Sequence, residues 1–389
     1  MSLNKTINIG LDIRIFSQPL NGVARYTLAL LTAIEKHPSF KLYLFSDTPI
    51  NPTYLNDIKG HDVIVLKNKS FKKYWKDYIL PYYLFKLKIN IYHATWDKGT
   101  PRFSFCPTIM TIHDLYCISK NNTFLSDRKK KKRLKSLLIE TKTCSKIFTV
   151  SNYTKNEIIK ALDVPKEKIT ITKLDCDRKL LSKIKNSNTS IKEYYPSLSE
   201  KQYFIGIVGR LNDKRKNIPF IINSFKSFLE KNTSSKIKTL VLVGNIIKDS
   251  PDCKEILDLI KYYKLENNII LTGFLEDDAL YNLLKHSVCL IFTSLFEGFG
   301  IPILEAFYLD TPVITSNTTS MAELASNDSA LLVDPYSLNE LTEAMTLITS
   351  NKNLKENLIS KANKQLRNFD WNITEKDIIK QYELLIKET

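Results

Sequence analysis

The chain has 389 residues, with 57 Lys plus Arg against 41 Asp plus Glu and 43% hydrophobic residues. That length calls for two domains around two cores, and 11% aromatics with 25% charged residues exclude disorder as the overall state. No uninterrupted apolar run approaches the roughly 20 residues that span a bilayer.

Taken in chain order, the pattern is strand then helix, repeatedly. Lys5 and Asp12 bracket an apolar stretch too short for a signal peptide; residues 7–13 read as a strand and 23–35 as a helix. Short β-rich runs follow at 41–45, 63–65, 89–93, 108–112 and 147–150, each leading into polar or helical sequence. The stretch 186–200 is polar, aperiodic and contains Pro196, which predicts an interdomain connector. A second series of strands is expected at 203–209, 239–244, 269–273, 288–293 and 312–315. The expectation is α/β: two doubly wound, Rossmann-like domains facing across a cleft, with ligands at the carboxyl ends of the strands. The boundaries are 1–185 for the first domain, 186–200 for the linker, 201–372 for the second domain, and 373–389 for a last helix returning to the first. No Gly-x-Gly-x-x-Gly follows the first strand and no Walker loop is present, which disfavours a nicotinamide dehydrogenase or a P-loop NTPase. The six cysteines form no Cys-x-x-Cys pair, so neither a zinc site nor a disulfide framework is indicated and a reducing cytoplasm fits.

Charge is uneven. Residues 1–200 carry 35 Lys plus Arg against 17 Asp plus Glu, whereas the remaining 189 carry 22 and 24. A lysine-rich solvated surface should tint both halves, so an anionic partner for the first half is the competing reading. Residues 67–88 hold seven lysines, Lys72 and Lys73 among them, interleaved with Phe71, Tyr74, Trp75, Tyr78, Tyr82, Tyr83 and Phe85. Residues 128–135 hold seven cations in eight, including Lys129, Lys130, Lys131 and Lys132. Cations with amphipathic aromatics suit an anionic leaflet, or single-stranded nucleic acid; a solvated helix with its aromatics in the core is the plain alternative.

The densest chemistry lies in residues 294–307, Ser-Leu-Phe-Glu-Gly-Phe-Gly-Ile-Pro-Ile-Leu-Glu-Ala-Phe. Pro302 suits the first turn of a helix starting near Ile301, whose free N–H groups attract an oxyanion such as a diphosphate. Gly298 and Gly300 let backbone N–H groups approach a ligand closely. Glu297 on the loop and Glu305 in the helix can accept hydrogen bonds from two sets of hydroxyls. Either glutamate alone would be an ordinary charged helix start.

These two glutamates around Gly-Phe-Gly-Ile-Pro resemble the retaining glycosyltransferases of family 4, which have the GT-B fold. The resemblance continues through Gly209-Arg210 and Lys216-Asn217, Leu242-Val243-Gly244, residues 271–275, Asp310-Thr311-Pro312, Glu323-Leu324, residues 330–335 and Phe369-Asp370-Trp371. It implies that Arg210 and Lys216 bind the donor's diphosphate, and that Glu305 holds the ribose. It further implies that Glu297 and the N–H groups of Gly298, Phe299 and Gly300 hold the donor sugar's hydroxyls, with Ile301 also among the donor-binding residues. Two cations at the leaving group, with no Asp-x-Asp, imply that no metal is required and no cofactor is used.

In the first half the resemblance places Gly22, preceded by Asn21 where the family has Gly, in a loop near the diphosphate. It places His113 at the donor sugar; by itself this would read as a structural histidine. Ser151 reads as a helix N-cap. Asp175 stands where the family commonly has Gly. The resemblance implies transfer of a hexose from a nucleotide sugar, GDP-mannose before a UDP-sugar, to a glycan or lipid-linked acceptor. The setting would be cell-surface polysaccharide or lipopolysaccharide assembly, at the cytoplasmic face of an anionic membrane, with no nucleic acid as partner. An inverting GT-B enzyme or sugar-nucleotide epimerase is the competing enzyme. From another class comes a nucleic-acid- or membrane-binding protein on an inactive GT-B scaffold, against which intact Arg210, Lys216, Glu297 and Glu305 argue.

Overall fold

The computed structural model describes residues 6–65, 74–120, 122, 125–247 and 250–388. They divide into two compact units, one of residues 1–174 with 371–389 and the other of 175–370.

The first unit is built on seven parallel strands: β1 (Ile7–Asp12), β2 (Phe40–Ser46), β3 (Asp62–Val65), β4 (Ile91–Ala94), β5 (Thr108–Ile112), β6 (Lys146–Thr149) and β7 (Ile169–Ile171), in the order β3-β2-β1-β4-β5-β6-β7. Its helices include α1 (Gly22–Glu35), α2 (Leu80–Lys86), α3 (Asp127–Thr143) and α4 (Asn152–Leu162). Both α1 and α4 start on a polar cap: Asn21 accepts the Ala24 N–H at 3.1 Å, and Ser151 the Thr154 N–H at 3.1 Å. Strands β4 and β5 are buried at every position, as expected of parallel strands covered on both faces.

The second unit has six parallel strands, β8 (Tyr203–Arg210), β9 (Thr239–Asn245), β10 (Ile269–Gly273), β11 (Cys289–Phe292), β12 (Val313–Ser316) and β13 (Leu331–Val333), in the order β10-β9-β8-β11-β12-β13. Its helices include α5 (Arg178–Asn186), α6 (Ile191–Tyr194), α7 (Ile218–Lys231), α8 (Pro251–Tyr262), α9 (Asp277–His286), α10 (Ile301–Tyr308), α11 (Thr319–Leu324), α12 (Leu338–Ser350) and α13 (Lys352–Gln365). Phe204, Phe225, Phe228, Leu240 and Ile291 are fully buried at the centre of its core. The last helix, α14 (Trp371–Lys387), groups with the first unit, where Thr374 donates to the Lys173 carbonyl at 2.9 Å.

Residues 175–200 differ from the expected split into domain and connector. They group with the second unit. The reason is local: α6 is closed by a capping box between Ser190 and Glu193, and Lys285 of α9 donates to the carbonyls of Ile184 and Ser187 at 3.0 and 2.7 Å. Among the described residues no helix is long and apolar enough to cross a membrane.

Candidate active site

In the second sheet the chain leaves β8 toward one side and β11 toward the other. The loops after these two adjacent strands therefore part and leave a crevice at their carboxyl ends. The loop after β8 runs Arg210 to Asn217, and the loop after β11 runs Thr293 to Gly300.

Each loop is fixed from within. Asp213 caps the turn Lys214–Lys216 by accepting the Arg215 N–H at 3.1 Å, and it pairs with the Arg215 guanidinium at 2.7 Å. Burial pushes the Asp213 carboxyl up, but the Arg215 hydrogen bond and charge outweigh it and hold the carboxyl below the usual range. The acid of this segment is thus spent on Arg215, and Lys216 reaches across to the other loop. Its Nζ donates to Glu297 Oε1 at 2.7 Å, stands 4.8 Å from the Phe292 ring centroid, and both paired side chains are about 15% exposed. Leu295 N–H donates to the Arg215 carbonyl at 2.7 Å, which ties the loops by backbone as well. Arg210 is exposed at the end of β8.

The loop after β11 is held open by Ser320 of α11, whose hydroxyl lies 2.9 and 2.8 Å from the Glu297 and Phe299 carbonyls. Gly300 has φ +111°, a left-handed conformation that a side chain strains, and it caps α10 with Pro302 in the first turn. Gly298, Phe299 and Gly300 are buried and Ile301 is half-buried, so this backbone is held in place rather than loose. Behind it Glu305 is 5% exposed and accepts the Tyr281 hydroxyl at 2.8 Å. Burial, then Asp175 and Glu305, push the Cys176 thiol well above its usual range, which sets Cys176 in the field of the same carboxylate.

The structure therefore brings Lys216, Glu297, Gly298, Phe299, Gly300, Ile301 and Glu305 into one neighbourhood, with Arg210 at its rim. Chemically it offers one cation already paired, one exposed, a run of backbone donors and two carboxylates. Among the described residues no cluster of His, Cys, Asp and Glu fit for a metal is found.

In the first unit, Gly22 is the exposed first residue of α1, with open space where a Cβ would stand. Asn21, in place of the resemblance's glycine, is the helix cap. His113 follows β5, and its Nε2–H donates to the Thr95 carbonyl at 2.9 Å while Tyr26 meets the ring edge-on at 4.9 Å. Burial lowers the His113 pKa, so the ring is neutral at pH 7. The corresponding switch point of this sheet, between β1 and β4, is filled by side chains: Asp12, fully buried, holds Arg14 at 2.8 Å and accepts Trp96 Nε1–H at 3.1 Å, and Arg14 stacks on Trp75 at 4.6 Å. Gly99 is required there, since a Cβ would stand 2.2 Å from Asp12 Oδ2.

The basic run is split by helical periodicity. Lys129, Lys131 and Lys132 are exposed on α3, together with Arg128 and Lys135. Lys130 departs from the expected common surface: its side chain is 14% exposed and approaches Asp127 at 3.6 Å. Arg133 turns inward to Asp97 at 2.9 Å and Glu140 at 3.1 Å. Lys72 and Lys73 lie outside the described residues.

A family model described as "Glycosyl transferases group 1" matches residues 193–365, and one described as "Glycosyltransferase Family 4" matches residues 20–173. The chain belongs to the family 4 glycosyltransferases. The O-antigen chain mannosyltransferase B of Escherichia coli is 24% identical over 277 residues, 71% of this glycosyltransferase and 70% of that protein. The serotype-specific mannosyltransferase WbdA of Escherichia coli is 26% identical over 270 residues; these are 68% of this chain and only 32% of that longer protein. Among solved structures, Anabaena HepE in complex with UDP aligns with a TM-score of 0.76 at 18% identity, covering 97% of this chain and 100% of that one. A glycosyltransferase from Rickettsia africae aligns at 0.72 and 16% identity, covering 99% and 100%. These structures share the GT-B fold, with its two Rossmann-like domains.

Sequence reading missed Tyr281, Ser320 and Cys176 in this glycosyltransferase. Tyr281 lies 24 positions from Glu305 and on another helix, so no local spacing marks the pair. It also missed His93, fully buried on β4 between the Tyr382 hydroxyl at 2.5 Å and Thr111 at 2.7 Å.

Proposed function

We propose that this glycosyltransferase is a retaining hexosyltransferase that uses GDP-mannose, with a UDP-sugar as the second choice. The observation that carries the proposal is the Lys216–Glu297 pair at the switch point of the second sheet, beside the Gly298–Ile301 backbone and in front of Glu305. The mannosyltransferase relatives support the sugar, and the UDP-bound neighbour supports a nucleoside diphosphate donor.

Glu305, held by Tyr281, accepts the ribose hydroxyls. The N–H groups of residues 298–301 and the cations of Arg210 and Lys216 receive the diphosphate. Glu297 accepts hydroxyls of the hexose. During transfer the bond from the anomeric carbon to the diphosphate oxygen breaks. The acceptor's hydroxyl oxygen bonds to that carbon on the same face, and its proton passes to the departing phosphate oxygen. Charge grows on the diphosphate as this happens, so the two cations act on the transition state more than on the bound donor. They neutralise the leaving group without a metal ion.

The acceptor is a glycan or lipid-linked glycan in cell-surface polysaccharide or lipopolysaccharide assembly, bound by the basic first unit. Lys129, Lys131 and Lys132 hold the enzyme peripherally at the anionic cytoplasmic leaflet, each worth about 1 kcal/mol. The test is incubation with GDP-mannose and with UDP-glucose, reading nucleoside diphosphate released and the anomeric configuration of the product by NMR. Release from GDP-mannose with retained configuration is the expected result. Release from neither donor would leave an inactive scaffold, and an inverted product would overturn the same-face step.

A further inference from the structure

In the first unit the aromatic residues of the basic stretch separate onto two sides. Trp75, Leu80 and Leu84 are buried in a cluster with Phe45, Ile89 and Tyr92. The other side faces solvent: Tyr78 is 70% exposed, Tyr82 56% and Phe85 63%. Two residues from the loop before β5, which no sequence pattern connects to α2, complete it. Phe105 packs on Phe85 at 5.0 Å between ring centroids and on Phe103 at 4.7 Å, and these two are 58% and 57% exposed. The core does not need these rings, because the opposite side of α2 already supplies Leu80 and Leu84. A contiguous exposed aromatic cluster on a monomer marks an interaction surface.

The charges around it name the partner. Lys86 lies 5.9 Å from the Tyr82 ring, and Arg102 beside Phe103 has a 63% exposed side chain. The acid in the cluster, Asp77, is met by Arg102, which donates its backbone N–H at 3.1 Å and approaches with Nε at 3.7 Å. Lys76, in the turn that leads into α2, is paired with buried Glu140 of α3, so the aromatic cluster and the basic face of α3 are carried on joined elements. Rings edged by cations, in a unit whose α3 also exposes Arg128, Lys131, Lys132 and Lys135, match the headgroup and upper acyl region of an anionic bilayer.

We propose that Tyr78, Tyr82, Phe85, Phe103 and Phe105 insert into the interface of an anionic lipid bilayer. This deepens the membrane reading above and rests on it: the lysines bring the protein to the surface, and the rings hold it there. Binding then has two parts, one lost with salt and one that salt leaves.

The test uses the full chain with vesicles of phosphatidylcholine alone, or of phosphatidylcholine and phosphatidylglycerol in equal parts. The variant Phe85→Ser/Phe103→Ser/Phe105→Ser alters only exposed rings, so its Tm and its hydrolysis of the donor should match wild type. Its partition onto the mixed vesicles should fall at least tenfold, and the binding that remains should vanish in high salt. The variant Lys129→Gln/Lys131→Gln/Lys132→Gln should instead lose the salt-sensitive part, and its failure alone would bear on the electrostatic reading. Tryptophan placed by Phe85→Trp should be quenched by brominated lipid on mixed vesicles. Wild-type-like partition of the triple serine variant, or no quenching at position 85, overturns insertion. A wild-type dimer that the serine variant dissociates overturns it too, by assigning the rings to a second copy of the chain.

Discussion

At the switch point of the first sheet, between β1 and β4, the crevice holds the chain's own ion pair. Asp12 is fully buried, Arg14 lies against it and against Trp75, and Trp96 closes the hydrogen bonding. At that of the second, between β8 and β11, the pair Lys216–Glu297 stays in reach of solvent, Arg210 is exposed, and a glycine-bearing loop presents its backbone. Strand order is the same on the two sides of both points. What separates a filled switch point from one fit for an anionic ligand is how the side chains are used: at the first, the carboxylate of Asp12 and the cation of Arg14 are spent on each other under Trp75 and Trp96, and at the second Arg210 stays exposed beside the Gly298–Gly300 loop. Topology locates the crevice, and side chains decide its use.

The comparison breaks first at Arg14. If its pair with Asp12 is structural, Arg14→Ala leaves a buried charge alone and costs about 3–5 kcal/mol of stability. Chemical denaturation should show this loss, with donor affinity of the folded fraction unchanged. A stable variant that fails to bind donor would make the first switch point a ligand site instead.

Acid should act on the first unit before the second. Burial lowers the His93 pKa to about 3, below its value of about 6.5 in the unfolded chain. The unfolded state therefore binds more protons between these values, so stability is full above pH 6.5 and falls as pH drops toward 3, by up to ~1.4 kcal/mol per pH unit. Burial gives His113 the same sign. Hydrogen exchange at pH 5 should show β4 and β5 losing protection ahead of β8 and β11, and His93→Gln should flatten the acid limb. An acid limb unaltered by that change would remove His93 as its cause.

A smaller effect sharpens the second switch point. Tyr281→Phe removes one hydrogen bond from buried Glu305 and should raise the donor KM about tenfold, about 1.4 kcal/mol, with kcat nearly unchanged, because a ribose contact serves ground and transition states alike. A fall in kcat at constant KM would move Glu305 from the ribose to the reacting centre.

Much of this was legible in the sequence, and the reasons for the rest are physical. Eleven runs of β-rich residues fall on β1 to β6 and β8 to β12, since buried parallel strands are continuous apolar stretches. The two missed strands, β7 and β13, are three residues long and sit at sheet edges, too short to show a pattern. The stretch 186–200 read as a connector because it is polar, yet Ser190 and Glu193 are spaced as a capping box and mark the helix that forms there. In the site, Glu297, Glu305 and the glycines lie on one segment and were visible together. The Lys216–Glu297 pair joins positions 81 residues apart and follows only from the switch point. The basic run 128–135 shows composition but not direction: helical periodicity turns Arg133 inward and leaves Lys129, Lys131 and Lys132 outside.

The central claim is that the second switch point stabilises a departing nucleoside diphosphate. Its most direct test is single-turnover cleavage of GDP-mannose by Lys216→Ala and Arg210→Ala, each compared with wild type at equal folded fraction. The account predicts a fall in kcat of about a hundredfold or more for each, with donor affinity less affected. Turnover within a few fold of wild type for either variant would contradict it.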